Sequence, residues 1–202
     1  MSILRLIIAA AIGIAWGAPA GAQTGPFGFN WGTPFADASR GGQMTVTKRE
    51  GQFTFVKAAT VPSNLSIAET YSLIFHDEHG LQKVAMFSKD FKDDPFGTSG
   101  KRTFHTLKES LNEKYGKPSS GTETTGLKLY KDSDEFYQCL AYSGCGMWAA
   151  LWEPKTGGSI ALEIKGGRRG QGFVVLTYEG PEWESAIDAH RSNASSKDKN
   201  AL

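Results

Sequence analysis

Tyr71-Ser-Leu-Ile-Phe-His76-Asp-Glu-His-Gly80-Leu-Gln-Lys-Val-Ala-Met-Phe-Ser88 is the stretch on which the fold class turns. Two runs rich in apolar residues, 71–76 and 81–88, flank the polar tetrapeptide Asp77-Glu78-His79-Gly80, and the pattern reads as a β-hairpin. Tyr71, Leu73 and Phe75 share one side of the first run; Leu81, Ala85 and Phe87 are expected to share a side of the second. A chain that turns back on itself in hairpins, with few helices between them, builds an antiparallel sheet of the α+β class.

Working outward from the hairpin, residues 52–59 alternate as a strand, with Phe53 and Phe55 on one side. Val61-Pro62-Ser63-Asn64 reads as a turn. Upstream, residues 23–42 are rich in Gly, Pro and aromatic side chains, and Thr33-Pro34 is suited to open a short helix through Ser39. Downstream of a polar loop at 89–100, Phe104, Leu107, Leu111 and Tyr115 recur at spacings of three and four. The spacing predicts an amphipathic helix from Thr98 or Ser99 to Tyr115, stopped by Gly116 and Pro118. Residues 119–126 read as a polar linker, 126–131 as a short strand, and 133–140 as a helical turn or two. Strands are expected at 147–153, 159–165 and 172–179, the last two joined by the loop Gly166-Gly-Arg-Arg-Gly-Gln171. In the strand 147–153, Trp148, Ala150 and Trp152 fall on one face and Met147, Ala149 and Leu151 on the other. A closing helix spans 181–191, and 192–202 reads as a disordered tail. The expected architecture is a single α+β domain over 23–191, mainly antiparallel sheet, with one long amphipathic helix and a shorter C-terminal one.

The first 22 residues are read separately. Arg5 precedes an apolar run from Leu6 to Trp16, and small residues stand at Ala20 and Ala22. This is the pattern of a cleaved secretory signal. The run is shorter than the roughly 20 residues a spanning helix needs, so no membrane span is expected after cleavage. Export places the mature chain in the periplasm or outside the cell. Removing the signal takes Arg5 away and leaves 21 basic residues against 21 acidic ones. A chain without a basic excess has no electrostatic footprint for nucleic acid.

The two cysteines, Cys139 and Cys145, are expected to form a disulfide in an oxidising compartment. Their Cα atoms must then lie roughly 4.4–6.8 Å apart, whereas six residues of helix span about 9 Å. The backbone has to reverse near Tyr142-Ser143-Gly144. The spacing is not the C-x-x-C of redox enzymes, and two sulfurs do not make a zinc site, so the bond reads as a structural staple.

No catalytic, metal or cofactor motif stands out in the chain. His76-Asp77-Glu78-His79 gathers potential ligands, but it spans a tight turn and lacks the i, i+4 spacing that puts two imidazoles on one helix face. His105 follows the helix stripe, and His190 falls close to the end of the last helix, where the dipole favours a cation. Asp93-Asp94 and Asp134-Glu135 read as solvated pairs. Glu163, between Leu162 and Ile164, is expected to point away from the core. The loop carrying Arg168 and Arg169 offers guanidinium groups to an anion or partner, without the helix N-terminus that strengthens phosphate loops. Tyr142, Trp148 and Trp152 crowd the disulfide loop, and with Arg168 and Arg169 they form the candidate binding surface; core packing is the alternative for the two tryptophans, which share one strand face and can bury a large area.

Phe27-Gly28-Phe29-Asn30-Trp31-Gly32, followed later by Leu111-Asn-Glu-Lys-Tyr-Gly-Lys-Pro118, resembles a loose group of uncharacterised small exported bacterial proteins with an F-G-x-x-W-G opening and an L-x-x-K-Y-G-x-P helix end. The resemblance implies an exported α+β domain and transfers no site residues. Three functional readings remain. The preferred one is a non-enzymatic binding, inhibitor or accessory protein acting on an envelope or extracytoplasmic protein. The others are an envelope hydrolase using carboxylates or the His76/His79 turn, and a structural envelope component.

Overall fold

The computed structural model describes residues 23–41 and 43–201, without the side chains of 41 and 193–201; the expected signal segment lies outside the described residues. Among the described residues, eight strands form one antiparallel sheet: β1 (Met44–Glu50), β2 (Phe53–Ala58), β3 (Ala68–His76), β4 (Gly80–Ser88), β5 (Ser120–Thr124), β6 (Met147–Trp152), β7 (Ser159–Gly166) and β8 (Gly172–Glu179). Their order is β1-β2-β3-β4-β8-β7-β6-β5. Each group of four is a meander, and the two meanders meet where β4 pairs with β8, Val84 opposite Tyr178 and Met86 opposite Leu176. The helices are α1 (Phe35–Ala38), α2 (Thr98–Tyr115), α3 (Phe136–Ala141) and α4 (Trp183–Ala201). The α+β antiparallel architecture is therefore as the hairpins imply. Among the described residues, no helix is long and apolar enough to cross a membrane.

The sheet has two unlike faces. Val56, Tyr71, Leu73, Val84, Met86, Leu162, Ile164, Val174 and Leu176 make the main core with Phe104 and Leu111 of α2 and Phe136 and Tyr137 of α3. α3 reaches the sheet through Gly166 and Gly172. A Cβ at Gly166 would stand 1.9 Å from Tyr137 O, and one at Gly172 would stand 2.2 Å from the Tyr137 ring. The opposite face carries Phe53, which packs edge-on to Trp183 and His190 of α4 at centroid distances of 5.9 and 5.5 Å. Lys83, on this same face, sits over the Trp183 ring and pairs with Glu179 at 2.8 Å.

Several segments depart from the sequence reading. Phe75 pairs with Leu81 after a register shift, so Leu81 joins the core with Val84 and Met86, while Ala85 and Phe87 face the other way. A bulge reverses the alternation that a regular strand would keep. Residues 119–126, expected as a linker, contain the edge strand β5; residues 126–131, expected as a strand, are irregular. An exposed edge strand needs no apolar alternation, which is why β5 is silent in the sequence. β1 escapes the pattern for the same reason, being exposed along nearly its whole length. α4 spans 19 residues against 18 in α2, so the C-terminal helix is not the shorter one. It runs through 192–201, expected as a disordered tail, and that stretch contains no glycine or proline to stop it.

The two quoted motifs meet in space. Phe27 lies edge-on to Tyr71 and Tyr178 at 5.1 and 5.5 Å, and Tyr115 lies 6.4 Å from the same Tyr178. Burial pushes the Tyr178 hydroxyl well above the usual phenol range. Gly116 ends α2, and its carbonyl accepts the Trp152 indole N–H at 3.0 Å.

Candidate functional site at the disulfide loop

Cys139 sits in α3 and Cys145 in the turn after it, disulfide-bonded with Cα atoms 5.1 Å apart. The reversal falls where the covalent geometry requires it. Cys145 N–H donates to Tyr142 O at 3.0 Å, and Gly144 takes φ +75°, a left-handed conformation open to glycine at little cost. Residues 126–131 run beside this turn: Leu127 N–H donates to Cys145 O at 2.8 Å and Gly126 N–H to Cys139 Sγ at 3.1 Å. Met147, the first residue of β6, pairs with Thr124, the last of β5.

Large apolar side chains that the core does not take stand on this turn and on the segments beside it. Leu127 is 64% exposed, Leu129 51%, Tyr142 48% and Met147 57%. They are four of the six large hydrophobic side chains that are exposed among the described residues, the others being Val46 and Phe96. Tyr142 lies in the stapled turn, Met147 just after it, and Leu127 and Leu129 on the segment hydrogen-bonded to it. Tyr142 stands between two shallow grooves. One, of about 300 Å³, is lined by Tyr130, Gln138, Tyr142, Arg168 and Arg169. The other, of about 280 Å³, is lined by Tyr142, Gly144, Met147, Trp148, Glu163 and Lys165. The Tyr130 ring meets Tyr142 edge-on at 6.0 Å. Gln138 Oε1 and Trp148 Nε1, both buried, have no hydrogen-bond partner among the described residues.

Of the residues singled out in the sequence, Tyr142, Arg168 and Arg169 therefore converge. Arg169 forms an ion pair with Asp134, and Arg168 Nε donates to Gln171 Oε1 at 2.7 Å. Trp148 joins them only at a groove wall: it is partly buried, edge-on to Phe136 at 5.2 Å, with Lys101 Nζ over both rings. Burial holds the Lys101 ammonium below its ordinary pKa, with the attraction of Asp94 opposing. Trp152 leaves the candidate surface and takes the core alternative. It is 1% exposed, its N–H bonded to Asn112 and Gly116, and it belongs to the core. Leu127, Leu129 and Met147 were not anticipated. The Leu-Lys-Leu alternation of 127–129 imitates a half-buried strand, and only its place against the disulfide turn shows both leucines to be exposed.

The other candidates serve the framework. His76 is buried, and its Nδ1 accepts the N–H groups of Glu78 and His79 at 3.2 and 3.3 Å while its ring stacks on His79 at 4.8 Å. That nitrogen closes the hairpin turn. No group of three or more His, Cys, Asp or Glu suited to a metal occurs among the described residues. His190 lies within α4 against Phe53 rather than near its end. Asp94, read as solvated, is buried: its Oδ2 accepts from Ser99 N, Gly100 N and the Tyr137 hydroxyl. Glu163 points away from the core, as alternation requires, and pairs with Lys165.

Another cleft, of about 470 Å³, lies elsewhere, between α4 and the ends of β7 and β8. Glu153, Glu179, Glu184, Asp188 and Arg191 line it beside Trp183. Glu179 is held by Lys83 and by Ser159 Oγ, which donates to it at 2.7 Å. Comparison of the chain with protein-family models, with curated proteins and with solved structures found no match.

Proposed function

We propose that this chain is an exported, non-enzymatic binding protein of the cell envelope, of the inhibitor or accessory type, which docks through the disulfide-loop surface centred on Tyr142. The supporting observation is the exposure of Tyr142 and Met147 on and just after the stapled turn, and of Leu127 and Leu129 on the segment hydrogen-bonded to it. A loop held by a disulfide loses less conformational entropy on docking than a free one, and Tyr is a favoured anchor at protein interfaces. The signal pattern of residues 1–22 supports the compartment, and the disulfide suits it.

The test is site-specific photo-crosslinking in the native envelope. A photoreactive side chain at position 142 or 147 is expected to trap one discrete partner, and the same group at Val46 or Phe96, also exposed and apolar, is expected to trap none. Equal products at all four positions would remove the assignment. The mature N-terminus, expected at Gln23, is read from the same preparation.

A second reading, an envelope hydrolase, is favoured by the carboxylates gathered in the cleft below α4. It predicts hydrolysis of envelope glycans or peptides that Glu179→Gln abolishes without loss of fold. Hydrolysis unchanged in that variant counts against it.

A further inference from the structure

The contact surface carries charge as well as apolar area, and the charge is not balanced within it. In the two groove walls Glu163 pairs with Lys165 and Asp134 with Arg169. Two cations remain without a carboxylate among the described residues. Arg168, an exposed side chain, commits its Nε to the neutral amide of Gln171, and its terminal nitrogens have no ion pair among the described residues. Lys128 lies across the disulfide turn: a Cβ on Gly144 would stand 2.8 Å from its Nζ. One free cation thus borders the Tyr130–Tyr142 groove, and another covers the turn between Tyr142 and Met147.

From this we infer that the partner is a protein presenting an acidic segment in which carboxylate side chains flank an apolar one. The inference rests on the docking surface proposed above. The apolar residue seats on Tyr142 and Met147. One carboxylate accepts two parallel hydrogen bonds from the terminal nitrogens of Arg168, a geometry that lysine does not offer. A second carboxylate meets Lys128. A small inorganic anion would use the cations and leave the four exposed apolar side chains uncovered, which is why an acidic protein segment fits better. Complementary charge of this kind also speeds encounter and makes binding weaken with salt.

The experiment is an amide NMR titration of the mature chain with three probes: the capped peptide Asp-Leu-Glu-Leu-Asp, its counterpart with every acid replaced by lysine, and inorganic phosphate. The acidic peptide is expected to shift amides in 126–131, 142–147 and 167–169, and to bind more weakly as salt rises. Arg168→Glu, at an exposed position, is expected to leave the spectrum folded and to weaken binding by about tenfold or more. Equal binding by the lysine peptide at the same amides overturns the acidic partner and leaves the docking surface standing. Phosphate matching the peptide reassigns the cations to a simple anion site. Shifts elsewhere, or none at millimolar peptide, overturn the inference, and photo-crosslinking separately decides the surface itself.

Discussion

The Tyr137 hydroxyl donates to Asp94 Oδ2 at 2.9 Å, joining α3 to the start of α2 across 43 positions of sequence. The same oxygen accepts the N–H groups of Ser99 at 3.0 Å and Gly100 at 3.2 Å, donors that the first turn of a helix leaves without a partner. Burial and the adjacent carboxylate hold Tyr137 in its neutral, donating form by pushing its pKa far above the usual phenol range. One carboxylate therefore anchors α3, which carries Cys139 of the disulfide, to the start of α2. Tyr137→Phe is expected to cost about 1.5–3 kcal/mol, as for other hydrogen bonds to a charged group. Asp94→Ala is expected to cost more, because it leaves three donors unsatisfied. Urea unfolding of both variants checks the order, and equal stabilities would show that Asp94 does not act as the hub.

Gly100 tests the same contact with the opposite naive sign. In an open helix interior, Gly→Ala stabilises by roughly 0.5–1 kcal/mol. Here the added Cβ would stand 2.3 Å from the Tyr137 hydroxyl, so Gly100→Ala is expected to lower the melting temperature. A rise would mean that Tyr137 yields freely.

Truncation should separate contact residues from framework residues. Tyr142→Ala and Met147→Ala remove exposed side chains and are expected to change stability by no more than about 0.5 kcal/mol. Trp152→Ala, at a fully buried site with a bonded indole N–H, is expected to cost about 3–5 kcal/mol. Thermal unfolding of the three variants reads the difference directly.

Opening the Cys139–Cys145 bond removes a constraint over a separation of six residues. The chain-entropy relation puts its contribution near 2 kcal/mol. Reduced protein is expected to keep its far-ultraviolet circular dichroism and to melt at a lower temperature. A complete loss of fold on reduction would show the staple to be the main support instead.

His76 gives the stability a pH dependence. Burial, then the nearby His79, lowers its pKa below the ordinary imidazole value, with Glu78 and Asp77 opposing. A histidine whose folded-state pKa is depressed takes up its proton first in the unfolded chain. Stability is accordingly full above the unfolded-state value near 6.5 and falls as pH drops from there toward the lower folded value. His76→Gln is expected to flatten that slope in unfolding free energy between neutral and mildly acid pH, and an unchanged slope would place the titration elsewhere.

The sequence by itself determined the antiparallel α+β class, the long helix α2, the hairpins β3–β4 and β7–β8, and the reversal at Tyr142-Ser143-Gly144. Each rests on local physics: a period of two or of 3.6, a turn residue, or the reach of a disulfide. Tertiary structure alone decided the rest. The joining of the two meanders through β4 and β8 depends on pairing between segments far apart in the chain. The edge strand β5 and the bulge that turns Leu81 inward leave no periodic trace. The contrast between Trp152 and Tyr142, one sealed in the core and the other exposed, and the gathering of Leu127, Leu129 and Met147 around the staple were likewise decided there. A side chain's local pattern says which face it takes, but what covers that face is set by elements that arrive from elsewhere in the chain.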